Sequence, residues 1–532
     1  MRGSESFYTY QAPFWKAEYR EQPVSSYRGN PLIETLPPAY DREQVYKLLQ
    51  YDPGYDESCR QWPDHLRLHL FLEAARFFQP LNIHFELEQR FSRLIRAGYV
   101  GRNPSDLGFW RDTERKLRVM EQNSVFQSIP RVPTQGFTLM GVSGTGKSRT
   151  IERILSLYPQ VIQHHEYQGK RFTWTQLVYL KLECPSDGLI TGLCHDFFQQ
   201  VDQLLGTNYY ENHGLRGRVT TDKMRVGMGR VASDHSLGVL IIDEIQNLRH
   251  VRSEGADKML SFLVQLDNTI GVPIVFIGTP KARSVLAGEF RRARRAAGQG
   301  DMPWERMHKE KDKDKEKDSE WRVFLETLWK YEYVREHTEL TDELSEVMYD
   351  ESQGIADIAI KLYFLSQIRA IERKKECITV DIIRKTAQER LGSVQEFLFA
   401  LRTNNQRLLR KYEDIQPIDF EGAVWQALGN INITSSSEAI QHSSPLQEQV
   451  ASKEQVADEE RTVVEQENSN PQNLPKKGSN ESKSNESVVK MEDGLLEVAA
   501  KGREKDIIAY DMLKKEGFIR PCSELFVKDA MV

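Results

Sequence analysis

The sequence predicts an α/β fold, a parallel sheet sandwiched by helices, joined to a smaller all-α domain, and three observations predict it. Between Phe137 and about Phe290 short apolar runs alternate with amphipathic segments, the pattern left by a parallel sheet whose faces are both covered by helices. One of these runs leads directly into a glycine-rich loop and then a helical segment. After Trp321, apolar residues recur at helical spacing to about Leu408.

Length and composition frame this reading. At 532 residues the chain is long enough for roughly two or three folded units. Apolar residues make up 39% and charged residues 28%, which is ordinary for a globular chain, while a mean hydropathy of -0.57 points to a stretch that stays unpacked. A net charge of -6 gives no global basic signature, so any DNA contact has to come from a local patch or from the lumen of a ring. Cys59, Cys184, Cys194, Cys377 and Cys522 form no CxxC pair and have no histidine at zinc-finger spacing, so reduced thiols are expected. The first residues, MRGSESFYTYQAPFWK, lack the apolar stretch of a leader, and no run approaches the roughly 18 apolar residues of a membrane helix. A cytoplasmic protein without a membrane partner is the expectation.

Taken in order, residues 1–62 are rich in Pro, Tyr, Gly and charge, and Asn30-Pro31 and Pro37-Pro38 predict extended structure, read as an N-terminal docking arm. Over 63–130, Leu66, Leu70, Leu72 and Phe77, then Phe85, Leu87, Phe91 and Leu94, predict a helical approach to the core. The α/β core is assigned to 131–300, with strands expected at Phe137–Met140, Leu177–Leu182, Val239–Ile242 and Pro273–Ile277. Residues 301–320 contain HKEKDKDKEKD, an alternating-sign run that predicts a solvated charged insert, and 321–425 form the all-α lid. From Gln426 to Ala509 there is no Phe, Tyr or Trp, and Ser, Asn, Gln, Glu and Lys dominate. Such a stretch cannot bury enough apolar surface to offset its conformational entropy, so 426–505 is expected to be a disordered linker. An amphipathic pattern returns in 506–532, which reads as a tethered partner-binding segment.

The chemistry concentrates in two motifs. Gly141-Val142-Ser143-Gly144-Thr145-Gly146-Lys147-Ser148 is a full P-loop match, after a strand-like run and before a helical one. Its glycines would expose backbone N–H groups to the phosphates of ATP, Lys147 would neutralise the β- and γ-phosphates, and Ser148 would ligate Mg²⁺. Val239-Leu240-Ile241-Ile242-Asp243-Glu244 is an apolar strand ending in two carboxylates, Asp243 for the metal and Glu244 to polarise the attacking water. Asp-Glu in place of a lone Asp points to the AAA+ branch of P-loop ATPases, which inserts an extra strand between the two motifs. At the tip of the next strand, in IVFIGTP, Thr279 is the candidate sensor of the γ-phosphate. Gly288-Glu289-Phe290 then leads into four arginines in five residues, of which Arg291, Arg294 and Arg295 are candidates to reach a neighbouring subunit's γ-phosphate. Taken alone, the same run also describes a solvated basic helix. In the lid, Gly354 to Leu362 is similar to the segment where related ATPases carry a second sensor, and only Lys361 could serve there.

Beyond these motifs the chain resembles the TnsC family, AAA+ regulators of bacterial cut-and-paste transposons that employ a TnsA/TnsB transposase. The resemblance spans roughly residues 25–400 and takes in YRGNPLIETLPP (27–38), GYVGRNP (98–104), YPQVI (158–162), LIIDEIQ (240–246), GVP (271–273), IGTPKAR (277–283) and RRAAG (294–298). Leu513 to Phe526 is also similar to that family's tail, whereas the polar linker and the Lys/Asp insert depart from it. The resemblance implies ATP-bound subunits that assemble as a ring or filament around double-stranded DNA. It also implies a target selector, either TnsD/TniQ-like or a CRISPR effector in RNA-guided systems, and recruitment of the transposase, with hydrolysis dispersing the oligomer. The arm would face the selector and the tail the TnsA endonuclease. Lys223, Arg225, Arg230, Arg249 and Arg252 are candidate phosphate contacts for DNA. A helicase loader or replication-initiator-like DNA-remodelling ATPase shares the core motifs, and only the arm and tail segments favour the transposition regulator over it.

Overall fold

The computed structural model of the chain describes residues 14–121, 136–215, 219–250, 253–286, 300–309, 319–411 and 418–428. All of them fall in the first of two compact units, Met1–Glu448, and the second, Gln449–Val532, lies outside them.

Two sheets are present among these residues. The strands in chain order are β1 (Trp15–Lys16), β2 (Phe137–Gly141), β3 (Val161–Tyr167), β4 (Lys170–Leu177), β5 (Tyr179–Glu183), β6 (Val239–Asp243), β7 (Ile274–Gly278) and β8 (Asp301–Trp304). The larger sheet runs β5-β6-β7-β2-β8 and every neighbouring pair is parallel. The loop-bearing strand β2 and the carboxylate-bearing strand β6 are therefore not neighbours, and β7 lies between them, as the Asp-Glu pair predicts.

Both faces of this sheet are covered, which is why its strands read as continuous apolar runs. Successive side chains alternate between faces. Val239, Ile241, Val275 and Ile277 pack with Phe91, Leu94 and Ile95 of the Asn82–Val100 helix and with Ile151 and Ile154 of the Lys147–Leu155 helix. Leu240, Ile242, Ile274 and Phe276 face the other way, onto Phe197, Phe198, Val231 and Leu263.

Four expectations need correction. The arm is not extended throughout: Pro31–Glu34 and Arg42–Leu49 are helices, and Leu32, Ile33, Leu36, Val45 and Leu49 are fully buried against the sheet's own core. Proline is well suited to the first helical turn, where its missing N–H has no partner to lose. Asn30 caps that turn by accepting from Leu32 N at 3.0 Å while donating to the Tyr99 carbonyl at 2.8 Å, which ties the 27–38 segment to the 98–104 segment. In the Asp64–Ala74 helix, Leu68 and Phe71 are the inward residues, while Leu66 is 43% exposed. The stretch assigned to the charged insert begins with β8, an edge strand whose Met302 and Trp304 point inward and whose Asp301 and Pro303 point out. Asp301 and Pro303 interrupt its apolar residues, so no continuous apolar run announces it. Finally, β1, β3 and β4 form a second sheet that no apolar run announces, with a tight turn at Gln168 and Gly169, both at positive φ.

The all-α lid comprises the helices Glu320–Trp329, Asp342–Ser352, Ala356–Glu372, Val380–Arg390, Gln395–Arg402 and Gln406–Lys411, followed by helix 420–428. The Asp64–Ala74 helix belongs to this core rather than to the sheet: Leu68, Phe71 and Phe77 pack with Trp321, Tyr333 and Phe364. Its Arg67, fully buried, donates to Asp64 and to both oxygens of Glu376, and Arg335 and Lys374 complete the cluster. Residues 310–318 of the insert, 429–505 of the expected linker and the 506–532 segment lie outside the described residues. No helix among the described residues is long and apolar enough to cross a membrane.

Candidate nucleotide-binding site

The P-loop leaves the end of β2 under tight steric control. A Cβ on Gly141 would overlap the backbone carbonyl of Trp304 on β8, and Gly144 and Gly146 take φ values of 78° and 91°, the left-handed region that glycine enters without strain. The Trp304 indole N–H donates to the Thr145 carbonyl at 3.0 Å, so the edge strand braces the loop from the side. Lys147 opens the following helix and its Nζ donates to the carbonyls of Gly141 and Val142, each at 2.8 Å. The loop is thus folded around its own lysine.

The second motif meets the first through a hydrogen bond. Ser148 Oγ donates to Asp243 Oδ2 at 3.1 Å, which places two hard oxygen donors together, the kind of pair that suits Mg²⁺. Lys181 on β5 approaches the same Asp243 oxygen at 3.2 Å and Glu152 at 3.1 Å. Burial pushes the Lys181 ammonium down, but those two carboxylates outweigh it and hold its pKa above the usual lysine range. Glu244 turns into the left-handed region, φ 55°, with its N–H on Asp243 Oδ1 at 2.9 Å. That conformation costs a non-glycine residue energy, and it directs the carboxylate away from the strand axis toward the cleft it lines.

Thr279 stands at the tip of β7, 4% exposed, and its Oγ1 is buried without a hydrogen-bond partner. Gln246, which motif reading carried only as part of LIIDEIQ, connects it to Glu244: the carboxamide donates through Nε2 to Glu244 Oε2 and accepts the Thr279 backbone N–H through Oε1 at 3.1 Å.

Lys147, Ser148, Glu244, Gln246 and Thr279 line one cleft of about 1170 Å³. Residues 143–150 of the P-loop and its helix form its floor, Glu244 and Thr279 one wall, and Arg306, Gly354 and Asp357 the lid side. The lid also touches the loop directly, since Asp357 N donates to the Gly144 carbonyl at 3.1 Å. The remaining wall is the turn after the Asp64–Ala74 helix, with Phe77, Phe78 and Leu81, and the start of the Asn82–Val100 helix, with Ile83 and His84. Sequence reading missed this apolar end, because a turn carries no periodicity. Its His84 packs against Trp304 with ring centroids 5.5 Å apart and the planes tilted by 42°, and burial holds its pKa down at about 3.

The remaining expected residues divide. Lys361 is not brought to the cleft: it pairs with Asp357 at 2.8 Å, one turn back on the same helix, and Asp357 is the side chain that lines the wall. Helical spacing places residues four apart on one face, so the acid nearer the helix start captures the lysine. Arg291, Arg294 and Arg295 lie outside the described residues, as does Arg252. Of the DNA candidates, Arg249 lines the nucleotide cleft, Arg225 is bound to Asp222 and Gln265 over the Phe262 ring, Arg230 lies 3.9 Å from Glu121, and Lys223 is exposed.

Comparison with known proteins agrees with the fold. Residues 134–286 match the family model described as AAA domain. None of the curated proteins matches the chain. Among solved structures, the chain is similar to Cdc6p from Pyrobaculum aerophilum at 13% identity, over 62% of this chain and 87% of that one, with a TM-score of 0.33. It is similar to a Walker-type ATPase of Pyrococcus abyssi at 14% identity, over 62% and 91%, TM-score 0.33. It is similar also to the ORC2 protein of Aeropyrum pernix at 11% identity, over 64% and 89%, TM-score 0.31. The α/β part of this chain, from the P-loop strand through the Thr279 strand, has the AAA+ P-loop fold and lies within the residues that match the AAA domain model.

Proposed function

We propose that the chain is a Mg²⁺-dependent ATPase that binds and oligomerises on double-stranded DNA and regulates transposition in the manner of TnsC. The observation that carries the nucleotide half is the unpartnered Thr279 hydroxyl in one cleft with Lys147, Ser148 and Glu244, with Asp243 behind Ser148 at 3.1 Å. A buried hydroxyl without a partner costs free energy, and a third phosphate would supply the acceptor that a diphosphate lacks.

Each residue then has a task. Lys147 exchanges the two loop carbonyls for the β- and γ-phosphates. Ser148 and Asp243 would hold Mg²⁺, which neutralises phosphate charge when bound. Glu244 accepts a proton from a water whose oxygen bonds to the γ-phosphorus as the bond to the β-phosphate oxygen breaks, releasing ADP and phosphate. One of Arg291, Arg294 and Arg295, acting from the neighbouring protomer, makes the same third phosphate part of the subunit contact. Nucleotide state then shifts the oligomer population by its differential affinity for the assembled form.

The DNA and transposition half is supported by the resemblance of the 27–38, 98–104, 158–162 and 277–283 segments to TnsC. On that reading the partners are a TnsA/TnsB transposase and a target selector, TnsD/TniQ-like or a CRISPR effector. Electron microscopy of the protein with duplex DNA and a slowly hydrolysed ATP analogue tests the proposal. Rings or filaments enclosing intact duplex support it. A complex that melts the duplex or deposits a helicase would support the loader or initiator reading instead.

A further inference from the structure

Two site residues from different strands, Glu244 after β6 and Thr279 after β7, are joined by a single side chain. Gln246 is 7% exposed and sits in the first turn of the Ile245–His250 helical segment. Its orientation follows from donor and acceptor chemistry: the Thr279 N–H can only donate, so the carboxamide oxygen faces it and the NH₂ group must face the Glu244 carboxylate. Room for this bridge is made by Gly278, where a Cβ would stand 2.7 Å from Gln246 Oε1 and 2.9 Å from Ile245 Cγ2. A side chain at Gly278 would thus displace the carboxamide lying against it. Glu244 itself is held in a left-handed conformation that a non-glycine residue keeps only where its surroundings enforce it.

We infer that Gln246 is a positioning residue for hydrolysis: it fixes the Glu244 carboxylate and, through the Thr279 backbone, ties that position to the strand tip whose free hydroxyl meets the third phosphate. The inference rests on the hydrolysis proposed above. It explains why the two groups that must act on the same phosphate share one amide, although they stand on separate strands. A shift of the β7 tip on engagement of Thr279 Oγ1 is carried to the carboxylate by one rigid planar group, with no rearrangement of the helix between them. Misplacing a reacting group by about 1 Å costs on the order of 100-fold in rate, whereas affinity for nucleotide, set by the P-loop, has no reason to follow.

Gln246→Met preserves length and volume and removes both hydrogen bonds, so packing and positioning separate. Steady-state turnover, affinity for a slowly hydrolysed ATP analogue and Tm are measured for wild type, Gln246→Met and Gly278→Ala. The expected result for Gln246→Met is a kcat lower by about 100-fold, with analogue Kd within about threefold of wild type and a Tm lower by a few degrees at most, because the buried Thr279 N–H loses its acceptor. Gly278→Ala, which displaces the carboxamide without altering it, should lower kcat in the same direction. A Gln246→Met kcat within about threefold of wild type overturns the inference, as does a loss of kcat matched by an equal loss of analogue affinity. A wild-type chain that binds the analogue but does not turn over ATP would remove the hydrolysis proposal and this inference with it. Turnover in wild type that survives in Gln246→Met removes the inference alone.

Discussion

Trp304 is where the edge strand and the P-loop depend on each other, and two substitutions separate its roles. The side chain is 3% exposed and packs with the sheet core, so Trp304→Ala removes a large buried ring, a change worth about 3–5 kcal/mol of stability. Trp304→Phe keeps an aromatic ring in that contact but loses part of its buried volume together with the indole N–H donated to the Thr145 carbonyl at 3.0 Å, the hydrogen bond being worth about 1 kcal/mol. If that bond holds the loop in its binding shape, its loss lowers the binding-competent fraction, and apparent affinity falls with it. About 1 kcal/mol corresponds to roughly fivefold in Kd. Equilibrium titration with a fluorescent ATP analogue, paired with urea unfolding, reads both quantities. Trp304→Phe is expected to bind about fivefold more weakly and to lose less stability than Trp304→Ala. Binding within twofold of wild type would refute the bracing role, and a Trp304→Ala protein as stable as Trp304→Phe would refute the burial account.

The other expectations can be checked in the same preparations. Lys147→Ala should abolish ATP-dependent DNA binding, measured by gel shift with and without nucleotide, and unchanged binding would count against the nucleotide switch. Glu244→Gln should bind ATP but turn it over at least 100-fold more slowly and accumulate on DNA, and turnover at the wild-type rate would remove its role as base. His84 is held neutral in the fold, with a pKa of about 3, while the unfolded chain titrates near 6.5, so the unfolded state binds more protons below that value. Stability should therefore fall by about 1.4 kcal/mol per pH unit from about 6.5 toward 3, and denaturant unfolding of His84→Gln should show a shallower slope between pH 6.5 and 5. Deleting residues 491–532 should spare ATPase activity and lose the endonuclease partner in a pull-down.

How far the site could be read from sequence depended on how each part is buried. The strands β2, β6 and β7 lie between two layers of helices, so all five residues of each are buried and they stand out as apolar runs. The motif residues at their ends follow from position in that series. The β3–β4 hairpin escaped because its inward positions carry polar residues: His164, 1% exposed, is satisfied by Gln176 at 2.9 Å and by Tyr19 at 2.9 Å, which no hydropathy pattern anticipates. Strand β8 was hidden by Asp301 and Pro303, which interrupt its apolar residues, and by the charged residues after it. Lys361 is the one cation in a segment similar to the second-sensor segment of related ATPases, and its pairing with Asp357, one turn away, holds it from the cleft. Gln246 stood in plain view in DEIQ, but its bond to Thr279 crosses 33 residues, and only the pairing of β6 with β7 brings the two together.

The claim on which the rest depends is that the third phosphate joins protomers on DNA, and the mass of the DNA-bound species measures it most directly. Sedimentation velocity of the full chain with a short duplex should show one complex in ADP and a several-fold heavier one with a slowly hydrolysed ATP analogue, the heavier species vanishing in Lys147→Ala. A single protomer on the duplex in both nucleotides, with the analogue shown to be bound, would contradict it.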